Sequence, residues 1–152
     1  MRPEEELRFL VLGAQREGSR ALTAALAPLG LTPAQSEVIR CLGDAGSLSL
    51  KALGGMLICE SGSPSRLVDT LVGRDIVARK EDAEDRRQVV LTLTASGRKL
   101  DEAIRKVEAE LYARIGTGLG KARVRQALTL LRPLVEGSIA GKAIASRKST
   151  GR

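Results

Sequence analysis

A run of small polar residues lies directly before an arginine in the middle of the chain. Ser61, Gly62, Ser63 and Ser65 precede Arg66. Hydroxyl groups and a guanidinium hydrogen-bond phosphate oxygens and base edges, and small side chains allow close approach to a DNA groove. The same residue types also form helix caps and turns. On this segment alone, the cap-and-turn interpretation is the simpler one.

A second cluster lies in a polar turn between two apolar stretches. It contains Asp85, Arg86 and Arg87. An arginine on a projecting hairpin suits the narrow minor groove of DNA, where the negative potential is enhanced. A neighbouring carboxylate can hold that guanidinium extended through a bidentate pair. A solvated turn of mixed charge would contain the same residue types, so composition leaves both interpretations open.

The sequence offers little for catalysis. It has no histidine, so the commonest general base and metal ligand are missing. Cys41 and Cys59 lack metal-ligand spacing and are too few for a disulfide framework. Ser61 or Ser63 as a nucleophile would have no histidine to activate it. We therefore expect no enzyme, no cofactor and no metal site.

Apolar periodicity and capping signals predict the elements that must position the two clusters. A first helix runs roughly over 4–27 and ends at Pro28 and Gly30. Thr32, Pro33 and Gln35 predict a capping box at the start of a second helix. Ser49 predicts the cap of a short third helix. A fourth helix begins near Ser63 and carries Leu67, Val68 and Leu71 toward the core.

Two strands, roughly 76–80 and 88–93, flank the polar turn. Two short helices and a hairpin together predict a winged helix-turn-helix, whose second helix presents its N-terminal residues to the bases. Thr94 predicts the cap of a long fifth helix, with a break at 116–120. A sixth helix follows, which Pro133 should kink or split. We expect the tail, 146–152, to be disordered.

The charge distribution limits what the net charge of +7 implies. The first 120 residues carry 17 Lys/Arg and 17 Asp/Glu, whereas residues 121–152 carry 8 and 1. The excess of positive charge in residues 121–152 therefore indicates a solvated helix face and a loose tail rather than a DNA-binding surface. No apolar run approaches the length of a membrane span, and the acidic N-terminus does not resemble a secretory signal. We expect a cytoplasmic protein without a membrane partner.

Three stretches carry a family resemblance: LTPAQ at 31–35, SRLVD at 65–69 and DAEDRRQVVLTLTASG at 82–97. With these stretches in this order, the chain resembles the MarR family of bacterial transcriptional regulators over roughly 31–97. The family's wing has an Asp-x-Arg element followed by a strand ending Leu-Thr-x-x-Gly. Asp85 and Arg87 match the first part, and Leu93, Thr94 and Gly97 match the second.

The resemblance implies a homodimer that binds double-stranded DNA. The fold class is then mainly α with a small β-hairpin wing, as one domain over 1–152. Residues 32–94 would form the winged helix-turn-helix lobe, and 1–30 and 95–145 a helical dimerisation region. Arg87 would enter the minor groove, with Asp85 orienting it.

The resemblance also places an effector cleft between the first, second and fifth helices. Its predicted lining is aliphatic, which favours a small apolar or weakly acidic organic molecule. The expected function is a repressor that such a molecule releases from a pseudo-palindromic operator. The residues predicted to line the cleft are Ala14, Ile39, Ala103 and Val107.

Two alternatives stay open. Cys59 lies in the turn before the fourth helix, where helix-start amides favour a thiolate and Glu60 opposes it; a redox-responsive regulator could act through this residue. A winged helix could also serve as a protein-interaction module, although a protein-binding wing more often displays apolar anchors.

Overall fold

The elements follow the predicted succession of helices and a hairpin, with one additional strand. The structure is a computed structural model that describes residues 1–59, 63–82, 85 and 88–150. The elements in chain order are α1 (Pro3–Leu26), a 3₁₀ turn (Ala27–Leu29), α2 (Pro33–Ala45), β1 (Ser47–Ser49), α3 (Leu50–Gly54), α4 (Pro64–Gly73), β2 (Val77–Glu81), β3 (Val89–Leu93), α5 (Ala95–Val135) and α6 (Ile139–Thr150).

Three helices begin where the sequence predicts a side-chain cap. Thr32 Oγ1 accepts the Gln35 N–H at 3.2 Å, and Gln35 Oε1 accepts the Thr32 N–H at 3.0 Å, which completes the capping box of α2. Ser49 caps α3 in the same way, and Thr94 Oγ1 accepts the Gly97 N–H at 3.0 Å to cap α5. Each cap satisfies a backbone donor that the helix itself leaves without a partner.

The sheet has three antiparallel strands in the order β1-β3-β2. The predicted strands of the hairpin are correct to within one residue at each end, and Val77 pairs with Leu93. Strand β1 pairs with the opposite edge of β3, where Leu48 lies across from Leu91. The predicted hairpin omits β1, because three residues are too few to show an alternating pattern and their partners come from a distant strand.

The main core lies where α2, α4 and the sheet meet. We call residues 32–94 the winged lobe, and α1, α5 and α6 the helical base. One cluster of apolar side chains joins the lobe to the nearest turns of the base. Its fully buried members include Leu26, Val38, Ile39, Leu42, Leu53, Val68, Leu71 and Ile104.

The C-terminal third differs from the prediction. The predicted break at 116–120 is a kink within α5, at Gly120 with φ +77°. Pro133 does not split the following segment, because it lies two residues before the end of α5 at Val135 and few helical hydrogen bonds remain to be lost.

The predicted disordered tail is wrong as far as Thr150, since α6 continues to that residue. The helix packs against α5 and α2, and Ala143 is buried. At Gly141 a Cβ atom would lie 2.1 Å from the Val135 carbonyl oxygen, so this close approach of α6 to the end of α5 requires glycine.

Among the described residues, no helix has both the length and the apolar character that crossing a membrane requires.

Candidate nucleic-acid interface

Helix α4 presents one polar face and one buried face. Ser65 and Arg66 are exposed, whereas Val68 and Leu71 are fully buried against the lobe core. Leu67 is half-buried and packs at the edge of that core. The apolar side chains recur with helical spacing, so burying them turns the first-turn polar residues outward. The predicted orientation of this helix is therefore confirmed.

The start of α4 lacks the side-chain cap that the sequence suggested. Ser63 occupies the N-cap position with extended backbone, but its hydroxyl makes no capping hydrogen bond. Pro64 takes the first helical position, where a missing N–H does no harm. The helix start is therefore defined by Pro64 at the first helical position and not by a side-chain hydrogen bond from Ser63. Ser61 and Gly62, the other predicted members of this surface, lie outside the described residues.

An ion pair that sequence reasoning did not identify joins α4 to the hairpin. Arg79 Nη2 on β2 donates to Asp69 Oδ1 on α4, and both side chains are exposed. Lys80, the next residue on β2, is also exposed. The pair links β2 to α4 at the surface, and Arg79 therefore lies beside the polar face of that helix. The available sequence signal for this ion pair was Arg79, a basic residue on an exposed strand edge.

The described residues of the hairpin turn, Asp82, Asp85 and Gln88, hydrogen-bond to one another. The Asp85 N–H donates to Asp82 Oδ1 at 3.3 Å, and the Gln88 N–H donates to the Asp85 carbonyl oxygen at 2.9 Å. Gln88 Nε2 also donates to Asp85 Oδ2 at 3.1 Å. Aspartate side chains that accept backbone N–H groups stabilise tight turns. Arg86 and Arg87, the predicted groove-contacting residues, lie outside the described residues, so the role predicted for Asp85 toward Arg87 stays a prediction.

The junction between β3 and α5 explains the Leu-Thr-x-x-Gly element physically. The Thr94 N–H donates to the Ile76 carbonyl oxygen at 3.1 Å, and Thr94 Oγ1 donates to the Asp75 carbonyl oxygen at 2.7 Å. A Cβ atom on Gly97 would lie 2.1 Å from the Ile76 oxygen. Glycine at this position therefore allows the first turn of α5 to rest directly on the start of β2.

A charged network joins the winged lobe to the helical base. Arg40 on α2 donates to Asp101 Oδ1 at 2.8 Å and to Glu108 Oε2 at 3.0 Å, both on α5. Asp44 accepts from Arg40 at 3.3 Å and from Arg105 at 2.8 Å. Spaced three or four residues apart within each helix, these charges resemble a solvated helix face, so the sequence alone did not indicate that they face each other.

The network is compact because the two helices approach closely. A Cβ atom on Gly43 would lie 2.4 Å from Asp101 Oδ2, so glycine makes room for that carboxylate. Burial disfavours the charged form of Arg40, but hydrogen bonds with Asp101 and Glu108 outweigh this and raise its pKa. The guanidinium is thus a permanent positive charge between the lobe and the base.

None of the four residues predicted to line the effector cleft lines the cavity between α1 and α5, so that lining stays a prediction. Ile39 is fully buried in the lobe core, Ala14 is exposed on α1, and Ala103 and Val107 are only partly buried. The cleft between α1 and α5 has a volume of about 390 Å³ and lies further along both helices. Its lining combines an apolar floor with polar groups: Glu17, Gly18, Ala21, Leu22, Glu108, Leu111, Tyr112, Arg114 and Ile115.

The two cysteines lie in environments that suppress thiolate formation. Cys41 is buried, as predicted, and burial raises the pKa of its thiol. Burial is the largest cause and the negative charge of Glu37 the next largest, and they raise the pKa of Cys59 to about 11. Oxidant-sensing cysteines are commonly low-pKa thiolates. Cys59 is exposed, but its raised pKa disfavours the thiolate that the redox alternative requires.

Two short helices whose second member exposes a polar first turn, followed by a hairpin packed beside it, define a winged helix-turn-helix DNA-binding protein. The MarR family model matches residues 31–89, which is the lobe from the start of α2 to the start of β3. Over this lobe the chain is similar to the MarR family, and it is a DNA-binding transcriptional regulator.

Relatives of known sequence and structure agree with this assignment. The organic hydroperoxide resistance transcriptional regulator of Bacillus subtilis is 28% identical over 67% of this chain and 69% of its own length. Mutant MarR from E. coli complexed with operator DNA superposes with a TM-score of 0.75 at 26% identity, covering 86% of this chain and 94% of that one. BpsR of Bordetella bronchiseptica, whose DNA binding is regulated by 6-hydroxynicotinic acid, superposes with a TM-score of 0.77 at 25% identity, covering 91% and 99%.

Proposed function

We propose that this protein is a homodimeric repressor that binds a pseudo-palindromic operator and is released from it by a small organic molecule. In this proposal residues 32–94 read DNA, and 1–30 together with 95–145 form the dimerisation region. Helix α4 is the recognition helix, which enters the major groove, and the hairpin is the wing, which reaches the adjacent minor groove through Arg87.

The observation that carries the DNA-binding mode is the orientation of α4. Its first turn exposes Ser65 and Arg66, while Val68 and Leu71 anchor the opposite face. Burial of the apolar face prevents the helix from rotating, so the polar turn is held ready for base edges and phosphates. The exposed Asp69–Arg79 pair links the wing to the same helix.

Apolar surface on the helical base supports the homodimer. Leu10 on α1 is 63% exposed and Leu130 on α5 is 73% exposed. A groove of about 460 Å³ joins the N-terminal part of α1 to Leu134 near the end of α5. Contiguous exposed apolar surface of this kind marks an association site in proteins that are not membrane-bound. A second copy would cover it symmetrically and set the distance between two recognition helices.

The cleft between α1 and α5 supports an organic effector. It combines an apolar floor with the phenol of Tyr112 and the guanidinium of Arg114. The two carboxylates of its lining, Glu17 and Glu108, are paired with Arg20 and Arg40. Such a lining suits an aromatic molecule with a weakly acidic group. A ligand there would regulate binding by favouring a dimer whose recognition helices are spaced wrongly for one duplex turn, provided it binds that state more tightly.

The decisive experiment is a gel shift with DNA from upstream of the protein's own gene, against a scrambled duplex of equal length. We expect preference for the native sequence and protection of two half-sites in a footprint. Equal affinity for both duplexes would contradict sequence-specific binding. Capture of a protein instead of DNA would favour the protein-interaction alternative.

Sedimentation tests the dimer independently of DNA. We expect a dimer at micromolar concentration for the wild type and a monomer for Leu130→Glu, which places a charge in the proposed interface. Lys51→Glu, an exposed change on α3 outside the proposed dimerisation region, is the control and should stay dimeric. A wild-type monomer would contradict the dimer proposal.

Thermal-shift screening with aromatic carboxylic acids tests the effector. A compound that raises the melting temperature should weaken operator binding, and Arg114→Met should reduce both effects. Release by a divalent metal ion at micromolar concentration, with no response to organic acids, would contradict the proposal.

A further inference from the structure

Glu37 is a carboxylate on the buried face of α2. It lies between Ala34 and Cys41 in the helical repeat, where an apolar residue would be expected, and it is 8% exposed. Its two oxygens accept backbone N–H groups from the segment that leads into α4. Oε1 accepts from Ile58 at 2.8 Å, and Oε2 accepts from Cys59 at 2.9 Å.

The counter-charge for Glu37 comes from the other end of the chain. Arg147, in the last turns of α6, places Nη2 at 2.9 Å from Glu37 Oε1 and donates to Cys41 Sγ at 3.4 Å. Leaving a buried carboxylate without a counter-charge is strongly unfavourable. The charge of Glu37 is therefore neutralised by a residue of α6. The segment at 58–59, which is hydrogen-bonded to Glu37, depends on α6 through this carboxylate.

That segment lies a few residues before the recognition helix in the chain. Pro64 starts α4 only five residues after Cys59, and Ser63 provides no side-chain capping bond to hold the start in place. The two hydrogen bonds to Glu37 are fixed points for the backbone just before the helix. A charge-assisted bond of this kind is stronger and geometrically more restrictive than a neutral one.

We propose that Glu37 and Arg147 form a latch through which the C-terminal helix positions the recognition helix. Glu37 is a positioning residue for operator recognition, and Arg147 acts through Glu37. This inference rests on the proposed reading of DNA by α4. It assigns the last turns of α6 to the DNA-reading unit rather than to a loose basic tail.

The test compares Arg147→Met with Lys148→Met. Both remove one positive charge from neighbouring positions of α6, so non-specific attraction to DNA changes equally, but Lys148 is exposed and contacts no part of the latch in the described structure. The first measurement is amide hydrogen exchange at Ile58 and Cys59 without DNA. We expect about tenfold faster exchange in Arg147→Met, as for the loss of one charge-assisted hydrogen bond, and wild-type exchange in Lys148→Met.

The second measurement is affinity for the operator relative to a scrambled duplex. Arg147→Met should lower this ratio by about tenfold, and Arg147→Lys should recover part of it. In a Glu37→Gln background, Arg147→Met should have little further effect, because Arg147 acts through the carboxylate. Equal losses for Arg147→Met and Lys148→Met would overturn the proposal in favour of general charge.

Unchanged exchange at both amides in Arg147→Met would overturn the latch whatever the DNA result. Faster exchange with an unchanged affinity ratio would overturn its role in recognition. If the wild type itself shows no sequence preference, the proposed function fails, and the exchange data still decide whether α6 holds the segment at 58–59.

Discussion

The winged lobe and the helical base bury their apolar residues to very different degrees. In the lobe, Val38, Val68 and Leu71 are fully buried around a closed core. In the base, Leu10 and Leu130 leave most of their surface exposed within one protomer. The lobe thus holds its side chains within a single chain, whereas the base carries apolar surface that a single chain does not cover.

This difference separates two kinds of sequence signal. An apolar residue in the lobe contributes to folding stability, because removing its side chain leaves a cavity among side chains of the same chain. A similar residue on α1 or the distal part of α5 reports on association, because only a partner would bury it. Mutation of the same residue type should therefore lower folding stability in the lobe and weaken association in the base.

The largest expected effect is in the lobe core. Leu71→Ala should lower the unfolding free energy by about 2–5 kcal/mol, because it removes a fully buried side chain. The matched change Leu130→Ala should lower the stability of the lobe by less than about 0.5 kcal/mol while weakening the dimer. Native-state hydrogen exchange of the buried lobe amides measures the loss of lobe stability in both variants. Equal losses in the two variants would mean that the two regions do not differ as described.

A second contrast uses two glycines. Gly97→Ala should destabilise the protein by about 1–3 kcal/mol, since its Cβ atom would clash with the Ile76 carbonyl oxygen. Gly13→Ala, in the open part of α1 with nothing near the new Cβ atom, should stabilise the helix by about 0.5–1 kcal/mol. Urea denaturation followed by circular dichroism distinguishes the two. A neutral Gly97→Ala would show that the junction of α5 with β2 is not tightly packed.

The exposed face of the lobe should be separable from its core. Arg66→Ala should cost about 1–3 kcal/mol in operator affinity and change the melting temperature little, because Arg66 is exposed. Lys51→Ala, an exposed basic residue on α3, is a control for lost charge alone. A large loss of stability with intact operator binding would mean that the orientation of α4 is reversed.

The smallest effect concerns pH. Because burial and Glu37 raise the pKa of Cys59 from 9.0 to about 11, the neutral thiol is favoured in the folded state. The corresponding stabilisation is complete below about pH 9 and is lost as the pH rises toward 11. Unfolding free energy should therefore fall over that range, and Cys59→Ser should reduce the decline while leaving the part due to Cys41, whose pKa is also raised. Rapid alkylation of Cys59 at pH 7, as for a low-pKa thiolate, would contradict this assignment.

Local signals predicted much of the lobe correctly. The capping box at Thr32 and Gln35 involves residues three apart, so its geometry is contained within one helical turn. The buried face of α4 follows from the spacing of Val68 and Leu71. The hairpin follows from apolar alternation on either side of a polar turn. Each of these features depends on neighbours in sequence.

Features built from distant residues were not predicted. Strand β1 exists because β3 supplies its hydrogen-bond partners, with Ser47 opposite Thr92. Helix α6 extends to Thr150, and within it Arg147 contacts Glu37 and Cys41 on α2. The lining of the α1–α5 cleft depends on how two helices cross, which no single periodic pattern specifies.

The sequence by itself determined the order of the elements, the caps that start α2, α3 and α5, and the face that α4 turns to solvent, because these follow from contacts within a few residues. Only the tertiary structure decided the pairing of Arg40 with Asp101 and Glu108, the counter-charge of Glu37 and the position of α6. Charged side chains look alike in sequence whether they face water or each other, and the difference arises only when packing brings their helices together and excludes solvent between them.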